Sequence, residues 1–197
     1  MKHLILDCSE TLLDFGGISY LTGLLGDREH ARRVHYTLFR SFGWHEYDCG
    51  RLRREDLDTQ LLPLLDAADR EVGAHYLRAW SEQYTVIPGI PELLAQWKEQ
   101  GYSLYVLSDF PPCFEDLWEK FEIFRLFDGR IVSYEEGLRK SDGGLFERAL
   151  EKFGLQAEDC FFADDVPANV AAAEQCGIRG HVFTTVEALR EAVASLG

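Results

Sequence analysis

The amino-acid sequence predicts an α/β protein, with a three-layer, Rossmann-like core built on a parallel sheet and an inserted α-helical cap. Two patterns predict this fold. Short apolar segments with strand character alternate with helical segments near the start of the chain and from residue 87 onwards, which is typical of parallel sheets covered by helices. Between them, residues 15–86 show helical periodicity throughout. We therefore assign residues 1–14 and 87–197 to the core and residues 15–86 to a cap inserted after the first strand.

The strands of the core are predicted from apolar runs that are too short to be helices. They cover residues 3–7, 102–107, 130–133, 160–162 and 180–183. Helical segments with apolar residues on one face separate most of these runs. One such helix begins near Leu145 and ends before Gly154, and another begins at Pro167, a favourable first residue of a helix. This order of elements predicts strands connected by crossover helices.

Three helices are predicted within the insert. Asp27 is suited to N-cap the first helix, which we expect to end at Gly43. The second covers residues 55–65 and the third covers residues 68–84, each with apolar side chains three or four positions apart. Together they predict a small helical bundle between the first and second strands of the core.

The segment between the first two of these helices, residues 44–51, is a candidate substrate-facing loop of the cap. It combines aromatic and charged side chains, and His45, Tyr47 and Arg51 are its candidate substrate contacts. Ordinary loop packing explains the same residues about equally well. Asp109, after the second core strand, is a further candidate substrate contact.

The charge and the cysteines narrow the function classes. A net charge of −14 would repel nucleic acid, and no apolar run approaches the roughly 20 residues that cross a bilayer. The five cysteines show no C-x-x-C spacing, which favours reduced thiols over a disulfide framework or a zinc site. The first residues lack the long apolar stretch of a signal peptide. We therefore expect a cytoplasmic protein that binds neither nucleic acid nor membranes.

Polar side chains follow four of the predicted strands, and the carboxyl ends of parallel strands meet at one edge of a sheet. Acids packed closely together resist ionisation unless positive charge lies among them. Mg²⁺ prefers oxygen ligands, and together with a lysine it can neutralise the oxygens of a transferring phosphoryl group. The sequence therefore predicts a magnesium-dependent phosphoryl-transfer site. Its candidate residues are Asp7, Ser9, Ser108, Asp109, Lys140, Asp164 and Asp165.

In their order along the chain, these segments resemble the four motifs of the haloacid dehalogenase-like superfamily. The first strand ends in Asp7, with Thr11-Leu12 shortly after it, and the second strand ends in Ser108. Lys140 then precedes a helix, and the pair Asp164-Asp165 follows an apolar strand. The insert resembles the mobile cap that many members place over the active site. Each motif is weak alone, but four in order cover nearly the whole chain.

The resemblance implies a role for each motif. It implies that Asp7 is the nucleophile and forms an aspartyl-phosphate, and that Ser108 and Lys140 hold the phosphoryl oxygens. It also implies that Mg²⁺ is bound by Asp7, by Asp165 and by the backbone carbonyl of Ser9, with Asp164 binding directly or through water.

The sequence departs from the superfamily at one position that matters for catalysis. Most phosphatases and phosphomutases of this kind carry a second aspartate two residues after the nucleophile, where it protonates the leaving group and later activates water. Ser9 stands there in this chain. A serine hydroxyl is a poor general base at neutral pH, so we do not expect Ser9 to supply the rate enhancement of about 10²–10⁴-fold that general acid–base catalysis usually contributes. Glu10 is a weak candidate to replace it. Leaving groups that tolerate negative charge should therefore react best.

The function that these observations favour is a phosphatase acting on a small phosphorylated metabolite, similar to sugar-phosphate phosphatases of the superfamily that also lack the second acid. A phosphomutase needs that acid, a phosphonatase needs a cap lysine that the insert lacks, and a haloacid dehalogenase needs no metal. The rival is a catalytically weak or inactive relative that binds a phosphorylated ligand as a sensor or partner module. The sequence identifies neither the substrate nor the oligomeric state.

Overall fold

The computed structural model describes residues 2–196, and its centre is a parallel β-sheet. The strands are β1 (His3–Leu6), β2 (Leu13–Phe15), β3 (Tyr84–Val86), β4 (Ser103–Ser108), β5 (Gly129–Val132), β6 (Cys160–Asp164) and β7 (Arg179–Val182). Five of them pair in parallel in the order β5-β4-β1-β6-β7. Each core strand lies within two residues of its predicted position, so the predicted parallel sheet is confirmed.

Helices cover both faces of this sheet. Their bounds are α1 (Gly17–Leu25), α2 (Arg28–Phe39), α3 (Phe42–Asp48), α4 (Leu57–Leu61), α5 (Arg70–Ala79), α6 (Ile90–Glu99), α7 (Phe114–Lys120), α8 (Ser133–Glu136), α9 (Gly144–Phe153), α10 (Pro167–Gln175) and α11 (Val186–Ala194). Side chains of a strand alternate between faces. Leu4 and Leu6 therefore pack with α6, α7 and α11, whereas Ile5 packs with α9 and α10. The core has the predicted three layers.

The insert between β1 and β4 contains α1 to α5, but it is not helical throughout. Its two ends pair as the antiparallel strands β2 and β3, with Leu13 opposite Val86 and Phe15 opposite Tyr84. Each strand has only three residues, which is too short to show an alternating pattern, and the partners are far apart along the chain. Periodicity could not reveal this pairing. That residues 15–86 form a separate cap domain stays a prediction.

The helix that begins after Asp27 ends earlier than predicted. The Asp27 carboxylate accepts a hydrogen bond from the backbone N of His30, as expected of an N-cap, but the helix stops at Phe39 rather than at Gly43. Ser41 begins a second helix, α3, by accepting a hydrogen bond from the backbone N of Trp44 at 3.1 Å. The segment predicted as a substrate-facing loop is therefore largely helical. None of the helices within residues 2–196 is long and apolar enough to cross a membrane.

Candidate active site

Four polar side chains converge where β1, β4 and β6 end. β1 lies between β4 and β6, and ligands bind beside such a central strand in open α/β sheets. Asp7 follows the last residue of β1, and its backbone N donates to the carbonyl of Ala163 at 2.9 Å. Asp7, Ser108, Lys140 and Asp164 are each no more than 4% exposed. The sheet topology thus brings together side chains that are up to 157 residues apart in sequence, because Asp7 and Asp164 end neighbouring strands.

Asp7 is held by two of these groups through one carboxylate oxygen. The hydroxyl of Ser108 donates to Asp7 Oδ1 at 3.0 Å, and Lys140 Nζ lies 2.7 Å from the same oxygen. Lys140 Nζ also donates to Asp164 Oδ2 at 2.6 Å. The ammonium therefore bridges two buried carboxylates. This arrangement orients Asp7 and leaves its other oxygen, Oδ2, outside these two contacts.

The loops that carry Lys140 and Asp164 are themselves braced. The backbone N of Lys140 donates to Asp109 Oδ1 at 3.0 Å, so the residue after Ser108 positions the lysine. The Asp164 carboxylate accepts from the backbone N of Val166 at 2.8 Å and from Asn169 Nδ2 at 3.1 and 3.0 Å. Each partner limits the rotamers that these side chains can adopt.

The turn after Asp7 positions Ser9 and Glu10. The backbone N atoms of Leu12 and Leu13 both donate to the carbonyl of Cys8, which closes a tight turn. Glu10 occupies the left-handed region with φ 57°, a conformation that usually favours glycine. Its carboxylate accepts from the backbone N of Phe15 at 3.0 Å. The hydroxyl of Ser9 lies 3.0 Å from the hydroxyl of Tyr84, so both side chains are directed to the β2–β3 pair.

The electrostatics show an excess of acid at this edge. Burial raises the pKa of Asp7 to about 8, against the opposing effect of Lys140 and with a further increase from Asp164. Burial and the neighbouring Asp164 also raise the pKa of Asp165. Burial alone would lower the pKa of Lys140, but the carboxylates of Asp164 and Asp7 outweigh it and raise that pKa. The lysine is therefore charged, and the acids compete for it.

The donor set fits a hard cation. Asp7, Asp164 and Asp165 each offer a carboxylate oxygen within 4.8 Å of the others. More acidic than basic side chains line the cavity around them: Asp7, Glu10, Asp14, Asp48, Asp109 and Asp165 against Arg28, Arg40, Arg139 and Lys140. A phosphate would meet excess negative charge there unless a divalent cation offsets it. An all-oxygen ligand set suits Mg²⁺. A contribution from the Ser9 carbonyl stays a prediction.

Cys8, next to the candidate nucleophile, does not compete with it. The side chain is fully buried, and burial together with the Asp7 charge raises the pKa of its thiol well above the ordinary value. The thiolate is the reactive form of cysteine. Cys8 is therefore a small apolar side chain beneath the site.

A cavity of about 730 Å³ opens above Asp7 between the sheet edge and the insert. Aromatic side chains make up much of its wall: Phe15, His35, Tyr36, Phe39, Trp44, Trp80, Tyr84 and Phe110. Their rings pack against one another, as in the 4.8 Å stack of Phe15 on Tyr84 and the 4.0 Å contact of Phe39 with Trp44. The cavity is large enough for a small organic molecule.

The structure separates the predicted substrate residues. Asp109 lines the cavity, but His45, Tyr47 and Arg51 are not among its lining residues. Tyr47 is buried in the apolar core, and Arg51 pairs with Glu46 at 3.1 Å and donates to the carbonyl of Gly137. Tyr47 and Arg51 therefore have structural roles.

Asp48 lies within the predicted substrate-facing segment 44–51 but was not among its named substrate contacts; it does line the cavity and is only 6% exposed. A lone aspartate within a polar stretch carries no sequence signal of burial, because its neighbours come from other segments.

Comparisons with known proteins agree with this architecture. The sesquiterpene phosphatase of Aspergillus oryzae is 28% identical over 170 residues, covering 86% of this chain and 86% of that protein. The flavin mononucleotide hydrolase of Arabidopsis thaliana is 23% identical over 154 residues, covering 78% of this chain and 62% of that protein. A solved structure of a HAD family enzyme from Bacteroides thetaiotaomicron, in complex with magnesium and inorganic phosphate, has a TM-score of 0.69 at 18% identity. The match covers 96% of this chain and 98% of that one, and it shows a shared fold.

The family follows from a match over most of the chain. A family model of haloacid dehalogenase-like hydrolases matches residues 1–177, a span that includes all four strand-end motifs. The chain therefore belongs to the haloacid dehalogenase-like hydrolases.

Proposed function

We propose that this protein is a Mg²⁺-dependent phosphatase that acts on a small phosphorylated metabolite through an aspartyl-phosphate on Asp7. Membership of the family and its phosphatase relatives make it a phosphoric monoester hydrolase; the metal and the covalent intermediate are our proposal. The proposal rests on the contacts around Asp7. Ser108 and Lys140 both contact Asp7 Oδ1, and Asp164 and Asp165 offer oxygens within 4.8 Å of the Asp7 carboxylate.

The side chains divide the work of phosphoryl transfer. Asp7 attacks phosphorus, and the hydroxyl of Ser108 and the ammonium of Lys140 move their hydrogen bonds from Asp7 to the phosphoryl oxygens. When bound, Mg²⁺ supplies positive charge that offsets those oxygens. Burial strengthens each of these interactions because little water competes for them. Asp109 and Asn169 keep Lys140 and Asp164 in place during the reaction.

The aromatic wall indicates the substrate class. A phosphate ester whose organic group is apolar or aromatic would bury that group against the rings of the cavity, at roughly 25 cal/mol per Å² of apolar surface. A sugar phosphate has less apolar surface to bury against these rings and would gain less from them. The two relatives described above are named for a sesquiterpene and a flavin substrate, which supports the same choice. We therefore propose an apolar or aromatic organic monophosphate.

Phosphate release from a panel of monophosphates in the presence of Mg²⁺ tests this function. The panel should contain aryl, isoprenyl and flavin phosphates beside glycerol and sugar phosphates of similar charge. We expect the apolar and aromatic esters to give the higher kcat/KM. Chelation of the metal and the variant Asp7→Asn should each abolish release. Equal kcat/KM across the panel would contradict the substrate class, whereas no release from any ester would contradict the phosphatase itself.

The conformation of the turn after Asp7 favours the alternative function, a sensor that binds a phosphorylated ligand. Both side chains that follow Asp7 in the turn, Ser9 and Glu10, are engaged with the β2–β3 pair rather than turned to the nucleophile. A protein of this kind would bind a phosphate ester without releasing phosphate. Calorimetric binding of an aryl phosphate to the Mg²⁺-loaded protein, with no turnover over hours, would favour the sensor over the phosphatase.

A further inference from the structure

Asp48 is a buried acid in the insert that the reaction described above does not use. It is the last residue of α3, and its backbone carbonyl accepts a hydrogen bond from the hydroxyl of Ser133. The same hydroxyl accepts from the backbone N of Phe110 at 2.9 Å. One serine of the core therefore ties the end of α3 to the loop that follows Ser108. This contact fixes Asp48 over the carboxyl edge of the sheet.

The side chain of Asp48 borders the same cavity as Asp7. Its surroundings combine the indole of Trp44 with the charges of Asp109, Arg139 and Lys140. Arg139 lies 3.6 Å from Asp109 and Lys140 bridges Asp7 and Asp164, so both cations have other partners. Among residues 2–196, no ion pair within 4.0 Å includes Asp48. A buried carboxyl without a cationic partner is costly to keep unless it has a function.

We propose that Asp48 is the proton donor and acceptor of the phosphatase reaction, in the role that Ser9 cannot fill. This inference rests on the proposed phosphatase function and deepens it. The acid comes from the insert, so it faces the organic side of the ester. The usual second aspartate would come from the turn beside the nucleophile.

The proton balance closes with Asp48 in both half-reactions. Asp7 attacks phosphorus, the bond from phosphorus to the ester oxygen breaks, and the leaving oxygen takes the electron pair of that bond and the proton of Asp48. The alcohol then departs. Asp48, now a carboxylate, takes a proton from water as the water oxygen attacks phosphorus. The bond to Asp7 breaks, and inorganic phosphate, free Asp7 and protonated Asp48 are restored.

Two properties of the carboxyl support the assignment. Burial, followed by the neighbouring Asp109 charge, raises the pKa of Asp48 well above its ordinary value, against smaller opposing effects of Arg139 and Lys140. The acid is therefore ready to donate a proton. The other titratable groups whose pKa it influences are Tyr47, Cys49 and Cys113, and burial raises the pKa of each of them. None of these three carries a charge near neutral pH that would oppose the transfer.

Other candidates beside the nucleophile are less suited. The Glu10 side chain is exposed and bonded to the backbone N of Phe15, which holds it at the β2–β3 pair. Tyr84, the partner of Ser9, is fully buried by its surroundings, and burial raises its pKa well above 10, which makes it too weak an acid at neutral pH. Asp48 combines burial, a place in the cavity wall and a raised pKa.

The variant Asp48→Asn tests the proposal across esters of graded leaving-group pKa. Loss of a proton donor should lower kcat/KM, which reports the transfer of the phosphoryl group to Asp7, by about 10²–10⁴-fold for alkyl phosphates. It should leave kcat/KM for nitrophenyl phosphates nearly unchanged, because a nitrophenolate leaves without a proton. Release of phosphate from Asp7 should slow for every ester, so kcat for nitrophenyl phosphates should fall as well. The pH profile for alkyl esters should lose its basic limb. Asp66→Asn, at an exposed aspartate of the insert, is the matched control. Introducing Ser9→Asp into the Asp48→Asn variant should restore alkyl turnover.

The thermal stability of the variant separates catalysis from structure. The folded protein keeps the Asp48 proton that the unfolded chain releases above its own pKa, so this carboxyl lowers stability as the pH rises. Asp48→Asn should therefore unfold at an equal or higher temperature at neutral pH. Equal losses of kcat/KM on alkyl and nitrophenyl esters, no loss at all, or a selective loss in Glu10→Gln instead would overturn the proposal. Absence of nitrophenyl phosphatase activity in the unaltered protein would overturn the phosphatase function and, with it, this inference.

Discussion

The two walls of the cavity are built on opposite principles. On the sheet side, Asp7, Ser108, Lys140 and Asp164 are all buried, and each is paired with another of them within 3.0 Å. On the insert side, rings whose centroids lie 4.0 to 6.2 Å apart form much of the surface, and Asp48 is a buried acid near them. The sheet-side wall suits a phosphoryl group, which is the same in every substrate. The insert-side wall suits the organic group, whose shape varies.

The two walls bind the two halves of an ester by different interactions. Charge on the sheet side is distributed over fixed partners, so a phosphoryl group can replace one set of hydrogen bonds with another at little reorganisation cost. The insert contributes apolar contact area and, in our proposal, one proton. Changes in the sheet wall should therefore affect every substrate, and changes in the insert wall should depend on the substrate.

The largest effect expected in the sheet wall follows from Asp7→Asn. An amide cannot form the aspartyl-phosphate, so kcat should fall by roughly 10⁴-fold or more for every ester. Detection of a phosphorylated Asp7 peptide in the unaltered protein, and its absence in the variant, checks the intermediate. An equal loss of kcat/KM on all esters would distinguish Asp7→Asn from Asp48→Asn, whose effect on kcat/KM should depend on the leaving group. Retention of nitrophenyl turnover in Asp7→Asn would rule out this nucleophile.

Replacing the lysine tests how strongly the buried charges depend on each other. Lys140→Met leaves the Asp7 and Asp164 carboxylates without their cation, which should cost about 3–5 kcal/mol of unfolding free energy in the absence of added metal. The loss should grow as the pH rises, because the unfolded chain then releases protons that the buried acids keep. Lys98→Met, which breaks the surface pair with Asp128 at 2.8 Å, is the control and should cost at most about 1 kcal/mol. Similar costs in both variants would show that the network adds no stability.

A histidine in the insert wall should make this region sensitive to acid. Burial, followed by the nearby charge of Arg40, lowers the pKa of His35 to about 4, and its Nδ1 lies 2.9 Å from the hydroxyl of Tyr76. The unfolded chain takes up this proton near pH 6.5, so stability should be lost as the pH falls from 6.5 towards 4. The loss should be at most about 3 kcal/mol.

Denaturant unfolding at a series of pH values measures this dependence, and His35→Gln should reduce its slope between pH 6.5 and 4. An identical slope in the variant would assign the acid sensitivity to other groups. Because the buried acids change stability at higher pH, the effect of His35 should be distinguishable from theirs by pH alone.

The smallest of these effects should come from the metal. If Mg²⁺ binds the folded protein alone, a concentration of 100 times its dissociation constant should add about 2.7 kcal/mol to the unfolding free energy. Asp165→Asn should remove most of this gain, and Asp66→Asn in the insert should keep it. Thermal unfolding with and without Mg²⁺ provides the measurement. A gain of the same size in Asp165→Asn would place the cation elsewhere.

Local sequence patterns were enough to predict the parallel core and the residues of the sheet wall. Apolar runs located the five core strands, and the rule that parallel strands bind ligands at their carboxyl ends brought Asp7, Ser108, Lys140 and Asp164 to one edge. The strands were predicted from short stretches of sequence, and the site was predicted from the order of the strands in a parallel sheet. Neither prediction needed knowledge of packing.

The opposite wall depends on long-range packing that no local pattern predicts. The pairing of β2 with β3, the break at Ser41 that begins α3 and the anchoring of Asp48 through Ser133 all depend on residues from distant segments. Ser133 and Asp48 are 85 positions apart, and neither carries a local pattern that signals the contact. Burial of a polar side chain is a property of its neighbours rather than of its own sequence. For that reason the strand-end acids were predicted, whereas Asp48 emerged only when the insert was folded onto the sheet.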